Sequence, residues 1–207
     1  MGHAGISYSF RFAENQYDCI GDAPGNTTID SQTSREVVDL FGWSTDSNTR
    51  YGINTSADDS DYTGNFRDWG NKIGDGSTWR TLSTDEWQYL FKTRTNASSI
   101  YKYGVTVCGK TNCLIIAPDG FTGSIASSYD TSTWPAAEAA GLVCLPAAGF
   151  RSGSFVGNIG SYGYYWSSTA YDCDYAYHVR FNGGSVVPGS SGTRRSGYSV
   201  RLITESN

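Results

Sequence analysis

The chain has 207 residues, of which 14% are aromatic and 17% charged, with 25 glycines and a net charge of -5. That balance describes a folded, aromatic-rich globule, read as one domain over residues 1–207, whose small α+β elements are joined by many turns. The acidic balance argues against nucleic acid, which requires a basic face, and no apolar run is long enough to span a membrane.

The first residues, Met1 to Gly5, contain no apolar core of a secretory signal. Ser7-Tyr8-Ser9-Phe10-Arg11-Phe12 alternates as a strand does. From Gly21 to Gly76 the chain is rich in Asp, Asn, Ser, Thr and Gly, and reads as a long loop region anchored by Trp43, Phe66 and Trp69. A short helical turn fits Val37 to Phe41. The Asp-rich stretch around Asp58, Asp59 and Asp61 is the place where oxygen ligands could hold a structural calcium ion. No other cofactor is expected.

The clearest helix begins at Ser83. Ser83-Thr84-Asp85-Glu86 matches a capping box, in which the serine accepts from the Glu86 N–H and the glutamate reaches back. Trp87, Leu90 and Phe91 then share one face, carrying the helix to about Thr93 as a core element.

Val105-Thr106-Val107 and Leu114-Ile115-Ile116 flank a hairpin-like segment that contains Cys108 and Cys113. The chain has five cysteines, so at least one is unpaired within it. A cross-strand Cys108–Cys113 disulfide and two free thiols both fit this spacing. No second close Cys/His pair completes a zinc set, so no metal site is assigned.

A second short helix fits Trp134 to Ala140, with Thr133 as its N-cap, Pro135 in its first turn and Gly141 as its stop. Leu142-Val143-Cys144-Leu145 follows as a strand. In the last fifth, strand alternation puts Tyr175, Tyr177, Val179 and Phe181 on one face and Ala176, His178, Arg180 and Asn182 on the other. The first face is expected inward, the second outward. Gly183-Gly184 makes a turn, and Gly189 to Ser196 is expected to be a loop. A final strand runs from Tyr198 to Leu202, with Tyr198, Val200 and Leu202 inward.

Between Ser167 and Arg201 there is no Lys, Glu, Gln, Met or Trp, although the rest of the chain uses all five. Adenine-directed mutation of AAC or AAT codons yields an alphabet that lacks the same five types.

Around that window lie Gly149-Phe150-Arg151, Gly163-Tyr164-Tyr165-Trp166-Ser167-Ser168 and Gly197-Tyr198-Ser199-Val200-Arg201-Leu202. Trp79-Arg80-Thr81-Leu82-Ser83, Glu86-Trp87 and Leu145-Pro146-Ala147-Ala148 extend the pattern over most of the chain. It resembles the C-type lectin-like variable proteins of diversity-generating retroelements in gut Bacteroidales and their phages. That resemblance implies a C-type lectin fold of the formylglycine-generating-enzyme branch, with two short helices, small antiparallel sheets and long loops. It implies a variable ligand-binding region at residues 167–201, displayed at a cell or virion surface to recognise a protein or glycan. Carried over by position, the ligand residues would be Tyr171, Asp172, Cys173, Asp174, Tyr175, His178, Arg180, Asn182, Val187, Ser190, Ser191, Thr193, Arg195 and Ser196. Tyr and Arg suit such a role through rigid area and forked hydrogen bonding. The EPN or QPD loop and WND triplet of calcium-dependent sugar-binding lectins are absent: Ser167-Ser168 follows Trp166.

Enzymatic readings gain little from the residues. A formylglycine-generating oxidase resembles a copper enzyme with two nearby C-terminal cysteines, where this chain offers Cys173 alone. With His3 in the leading tail, His178 is the one credible general base. No nucleophile elbow, P-loop or dinucleotide fingerprint appears. A binding protein without catalysis is therefore expected, and an adhesin, pilus-tip or tail-fibre module with a fixed partner shares the same fold expectation.

Overall fold

The computed structural model describes residues 79–152, 155–172, 175–193 and 196–204. The strand expected at Ser7–Phe12, the loop and helical turn before Gly76, the Asp58/Asp59/Asp61 stretch and Cys19 lie outside these residues.

The described part is a mixed α+β arrangement of two short helices and several small sheets. After β1 (Arg80–Thr81), helix α1 (Thr84–Gln88) starts with the expected capping box. The Glu86 N–H donates to Ser83 Oγ (3.2 Å) and the Ser83 N–H donates to Glu86 Oε2 (2.8 Å). Arg80 grips both oxygens of the same carboxylate at 2.8 and 2.6 Å, and that hydrogen bonding is the main reason the Glu86 pKa lies below the ordinary value. The helix continues as a π-helical turn, Tyr89–Thr93. Trp87 and Phe91 stack with centroids 6.1 Å apart and are buried, as their spacing predicts.

At the end of this turn sits a buried cation. Arg94 donates through Nε to the Leu90 carbonyl, through Nη1 to Ala117 O and Asp119 Oδ1, and through Nη2 to Ile100 O. Its charge is tolerated in the interior because its fork is occupied by carbonyls and a carboxylate.

A four-stranded sheet has the order β4-β2-β3-β5, from β4 (Ser128–Tyr129), β2 (Tyr101–Val107), β3 (Lys110–Ile116) and β5 (Val143–Leu145). The β2–β3 connection is tighter than the flanking residues suggest. Val107 pairs with Lys110, leaving Cys108 (φ 48°) and Gly109 (φ 80°) as a two-residue turn with both residues left-handed. Cys108 is therefore at the exposed tip while Cys113 is buried, and both thiols are free.

Helix α2 (Trp134–Ala139) also differs from expectation at its start. Thr133 does not cap it; its hydroxyl engages Asp130, whose carboxylate accepts from the Ser132 and Thr133 N–H groups. The stop is as expected. Gly141 (φ 86°) takes the left-handed position, with Gly141 N–H bonded to Glu138 O and Leu142 N–H to Ala137 O.

The remaining strands are β6 (Phe150–Ser152) paired with β7 (Phe155–Gly157), then β8 (Tyr162–Ala170), β9 (Tyr175–Asn182) and β10 (Val186–Thr193) in a three-stranded antiparallel sheet, order β10-β9-β8. Strand β11 (Leu202–Ile203) pairs with β1. The stretch expected to be a loop, Gly189 to Ser196, runs as β10 as far as Thr193. Its Gly and Ser content hides the strand, but Ser190 to Thr193 pair with His178 back to Tyr175 after a register shift between Val187 and Ser190, where Pro188 cannot donate. The terminal strand is shorter than expected. Gly197 and Ser199 form isolated bridges to Arg151 and Tyr165 before β11 begins.

Strand β8 is the meeting point of the described fold. Trp87 Nε1–H donates to Trp166 O (3.4 Å), the Thr84 N–H to Thr169 Oγ1 (3.0 Å), and Ser167 Oγ contacts both Thr84 Oγ1 (2.9 Å) and Tyr177 O (2.8 Å). Gly163 packs against the Phe181 ring, where an added Cβ would clash with Cζ. These contacts give physical roles to Gly163, Trp166 and Ser167 in the framework motif.

Candidate functional site

The three-stranded sheet is covered on both faces at its centre. On one face Tyr165, Val179 and Phe181 join Trp87, Phe91, Leu114 and Leu145 in the main core. On the other, Trp166 and Ala176 pack under Tyr198 and Val200. Trp166 N–H donates to Ser199 O and Ser199 N–H to Tyr164 O, so the segment after Gly197 is bonded along β8. Tyr198 lies with its centroid 4.4 Å from Trp166, 4.8 Å from His178 and 5.0 Å from Tyr164. Gly192 makes room for it, since a Cβ there would meet the Tyr198 hydroxyl at 2.6 Å.

This corrects the expected outward position of His178. Its face is sealed by the distant Tyr198 segment, and the residue is only 3% exposed. Neither a ligand contact at the surface nor a general-base role fits that position. Burial pushes its pKa down to about 4 from the ordinary 6.5, and the Arg180 charge adds to the effect. Among the described residues its Nδ1 has no hydrogen-bond partner of normal geometry, so packing is the main restraint on the ring.

Other residues of the expected set are divided between two places. Tyr171, Asp172, Tyr175, Ser191 and Thr193 gather at the end of the sheet where β8 turns into β9. Tyr171 is 55% and Tyr175 40% exposed. The Tyr171 ring meets Tyr175 edge-on at 6.4 Å and Tyr177 at 5.1 Å. Tyr175 pairs with Thr193 and Tyr177 with Ser191, which puts two hydroxyl-bearing residues beside the aromatics. Arg180 and Val187 are cross-strand partners, both exposed, on the opposite face and toward the other end. A single outward face is thus replaced by an aromatic end and a separate Arg180/Val187 patch.

Several expected ligand residues have structural tasks. Asn182 is half-buried, and its Oδ1 accepts from the Gly184 and Ser185 N–H groups, so it builds the β9–β10 turn. Asp172 Oδ1 accepts from the Tyr175 N–H (2.8 Å) and organises the β8–β9 turn. Ser196 bonds Thr193 through its hydroxyl at 2.8 Å. Ser190 is half-buried opposite His178. Cys173, Asp174 and Arg195 lie outside the described residues.

The sequence reading missed Tyr177, assigned to the core but half-buried against Tyr171. It also missed Phe155, Val156 and Ile159, which are exposed. Phe155 meets Phe150 at 5.9 Å, and Phe150 meets Tyr164 at 5.7 Å, the residue paired with Arg180. The signal for Tyr177 was the Tyr171/Tyr175/Tyr177 spacing; for Phe155 to Ile159 it was a short apolar run in a Gly/Ser-rich stretch.

Chemically, the described residues of these two patches offer rings, hydroxyls and the Arg180 guanidinium, a set suited to contact area and hydrogen bonding. Among the described residues no group of three His, Cys, Asp or Glu side chains could hold a metal ion, and no helix is long and apolar enough to cross a membrane.

The buried histidine makes stability pH-dependent in a defined window. The unfolded chain takes up the His178 proton below pH 6.5, whereas the fold resists it down to about pH 4. Stability is complete above 6.5, declines as pH falls between these values, and is lower by about 3 kcal/mol once both are passed. Urea unfolding across this range should show that decline in the parent and its disappearance in His178→Phe.

No curated protein and no solved structure matches the chain. A family model described as Domain of unknown function (DUF8237) matches residues 26–203, and the chain belongs to that family.

Proposed function

We propose that the chain is a non-catalytic ligand-binding protein, displaying a diversifiable surface on a C-type lectin-like scaffold, as the variable proteins of diversity-generating retroelements do. Its partner is a protein or glycan on a cell surface, and the protein works outside the cell, on a cell or virion. The observation that carries this reading is the cluster of exposed Tyr171 and Tyr175 with half-buried Tyr177, and Ser191 and Thr193 beside it. Large rigid rings lose little conformational freedom on binding and dominate recognition surfaces.

The division of labour within residues 167–201 supports the same reading. Ser167, Ala176, Val179 and Phe181 are buried, whereas Tyr171, Tyr175, Arg180, Val187 and Ser191 are exposed. Exposed positions of this kind can change identity at little cost to stability. Absence of Lys, Glu, Gln, Met and Trp from that window accords with an adenine-directed origin.

Two experiments test the two halves of the proposal. Screened against glycan arrays and a surface-protein library, the parent should retain a target that the Tyr171→Ala/Tyr175→Ala/Arg180→Ala variant loses, with Tm within a few degrees. Loss of fold, or binding that survives the substitutions, would remove the surface from the account. At the DNA level, a nearby near-repeat with a reverse transcriptase gene should differ from residues 167–201 at template adenines only; scattered differences would remove diversification and leave an adhesin-type module with a fixed partner.

A further inference from the structure

On the four-stranded sheet, away from the aromatic end, three thiols line one pocket of about 470 Å³: Cys108, Cys113 and Cys144, with Lys110, Arg201 and Glu138 as the charged groups of its lining. The strand register explains how two of them meet. Ile115 pairs with Cys144 and Leu114 with Leu145, so Cys113 is the diagonal neighbour of Cys144 on the same sheet face. Cys113 is fully buried, Cys144 half-buried at the pocket wall, and Cys108 exposed at the β2–β3 tip. Nothing in the recognition surface uses these groups.

We propose that this pocket is a thiol–disulfide exchange site, in which Cys144 reacts with a small anionic disulfide and Cys113 then closes a reversible Cys113–Cys144 bond. The burial order fits the sequence of steps. The half-buried sulfur meets the reagent, and the sealed one needs to reach only its neighbour. Lys110 and Arg201 outweigh Glu138 and favour an anionic reagent.

Hydrogen bonding from Cys144 holds the Cys113 thiol down to about 7, and the Cys144 thiol is correspondingly raised. One thiolate is thus shared by the pair near neutral pH, with Cys144 as the donor. The Cys113 thiolate takes the Cys144 proton as Cys144 Sγ attacks one sulfur of R–S–S–R. The S–S bond of the reagent breaks, a Cys144–S–S–R bond forms, and the departing RS⁻ picks up a proton from water. Cys113 then gives its proton to solvent and attacks Cys144 Sγ, and the second RS⁻ leaves. The pair, which carries one proton between its two sulfurs, loses two electrons and that proton, and the two RS⁻ groups become thiols by taking protons from water. Diagonal neighbours on adjacent strands lie about 7–8 Å apart at Cα, so closure to the usual disulfide range asks for a strand movement of about 1–2 Å, with Cys113 Sγ leaving the Lys110 carbonyl to which it donates (3.3 Å).

The inference is independent of the ligand-binding proposal and is tested without a ligand. The protein is incubated at neutral pH with oxidised glutathione, alkylated, and mapped by peptide mass. A linked Cys113–Cys144 peptide, opened again by dithiothreitol, is the expected result. In Cys113→Ser a glutathione mixed disulfide should accumulate at Cys144, and cystamine, a cationic disulfide, should oxidise the parent pair more slowly. The parent mapping stands even where the variant does not fold. Glutathione found on Cys108 alone, or Cys113 and Cys144 both fully alkylatable after denaturation of the treated protein, would overturn the site. A folded Cys113→Ser protein with no adduct at Cys144 would overturn the order of steps, and equal rates with both reagents the anionic preference.

Discussion

Tyr198 decides what the C-terminal sheet can present to a partner. Its ring lies against Trp166, His178 and Tyr164 at once, held there by backbone bonds between Ser199 and β8 and by the absence of a side chain at Gly192. With that segment in place the sheet centre has a core on each side. Among the described residues, what remains available for contact is its margin: the β8–β9 end with Tyr171 and Tyr175, and the Arg180/Val187 pair on the opposite face.

A two-sided core gives the margin its independence. The rings of Trp166 and Phe181 and the hydroxyl of Ser167 fix the backbone of β8 and β9 from beneath. Helix α1 is joined to the same strand through Thr84 and Trp87. The turn between β8 and β9 is closed locally by the Asp172 carboxylate. Side chains beyond these supports contribute little to folding, so their identity is set by what they touch. The thiol pocket is built on a different sheet, and its chemistry is separate from either patch.

Local interactions were legible in the sequence; distant cover was not. Ser83 and Glu86 announce the capping box because both partners lie within one turn, and Gly141 announces a helix stop for the same reason. Alternation correctly placed Val179 and Phe181 in the core, but it reports which residues share a face, never which face another segment will cover. His178 was misplaced on that account. Tyr175, expected to be inward, is exposed because its end of β9 extends past the core. The Gly189–Thr193 stretch reads as a loop by composition, yet β9 offers a ladder that weak strand formers still join. Cys108 occupies a left-handed turn position that residues other than Gly, Asn and Asp rarely take, so the hairpin was drawn too wide.

The central claim is that the margin of this sheet is open while its middle is sealed by Tyr198. Laser-induced nuclear polarisation of aromatic side chains measures this directly, because a flavin dye in solution reaches only exposed Tyr, His and Trp rings. Tyr171 and Tyr175 should give strong signals and His178, Trp87 and Trp166 none. A polarised His178 with silent Tyr171 and Tyr175 would contradict the account.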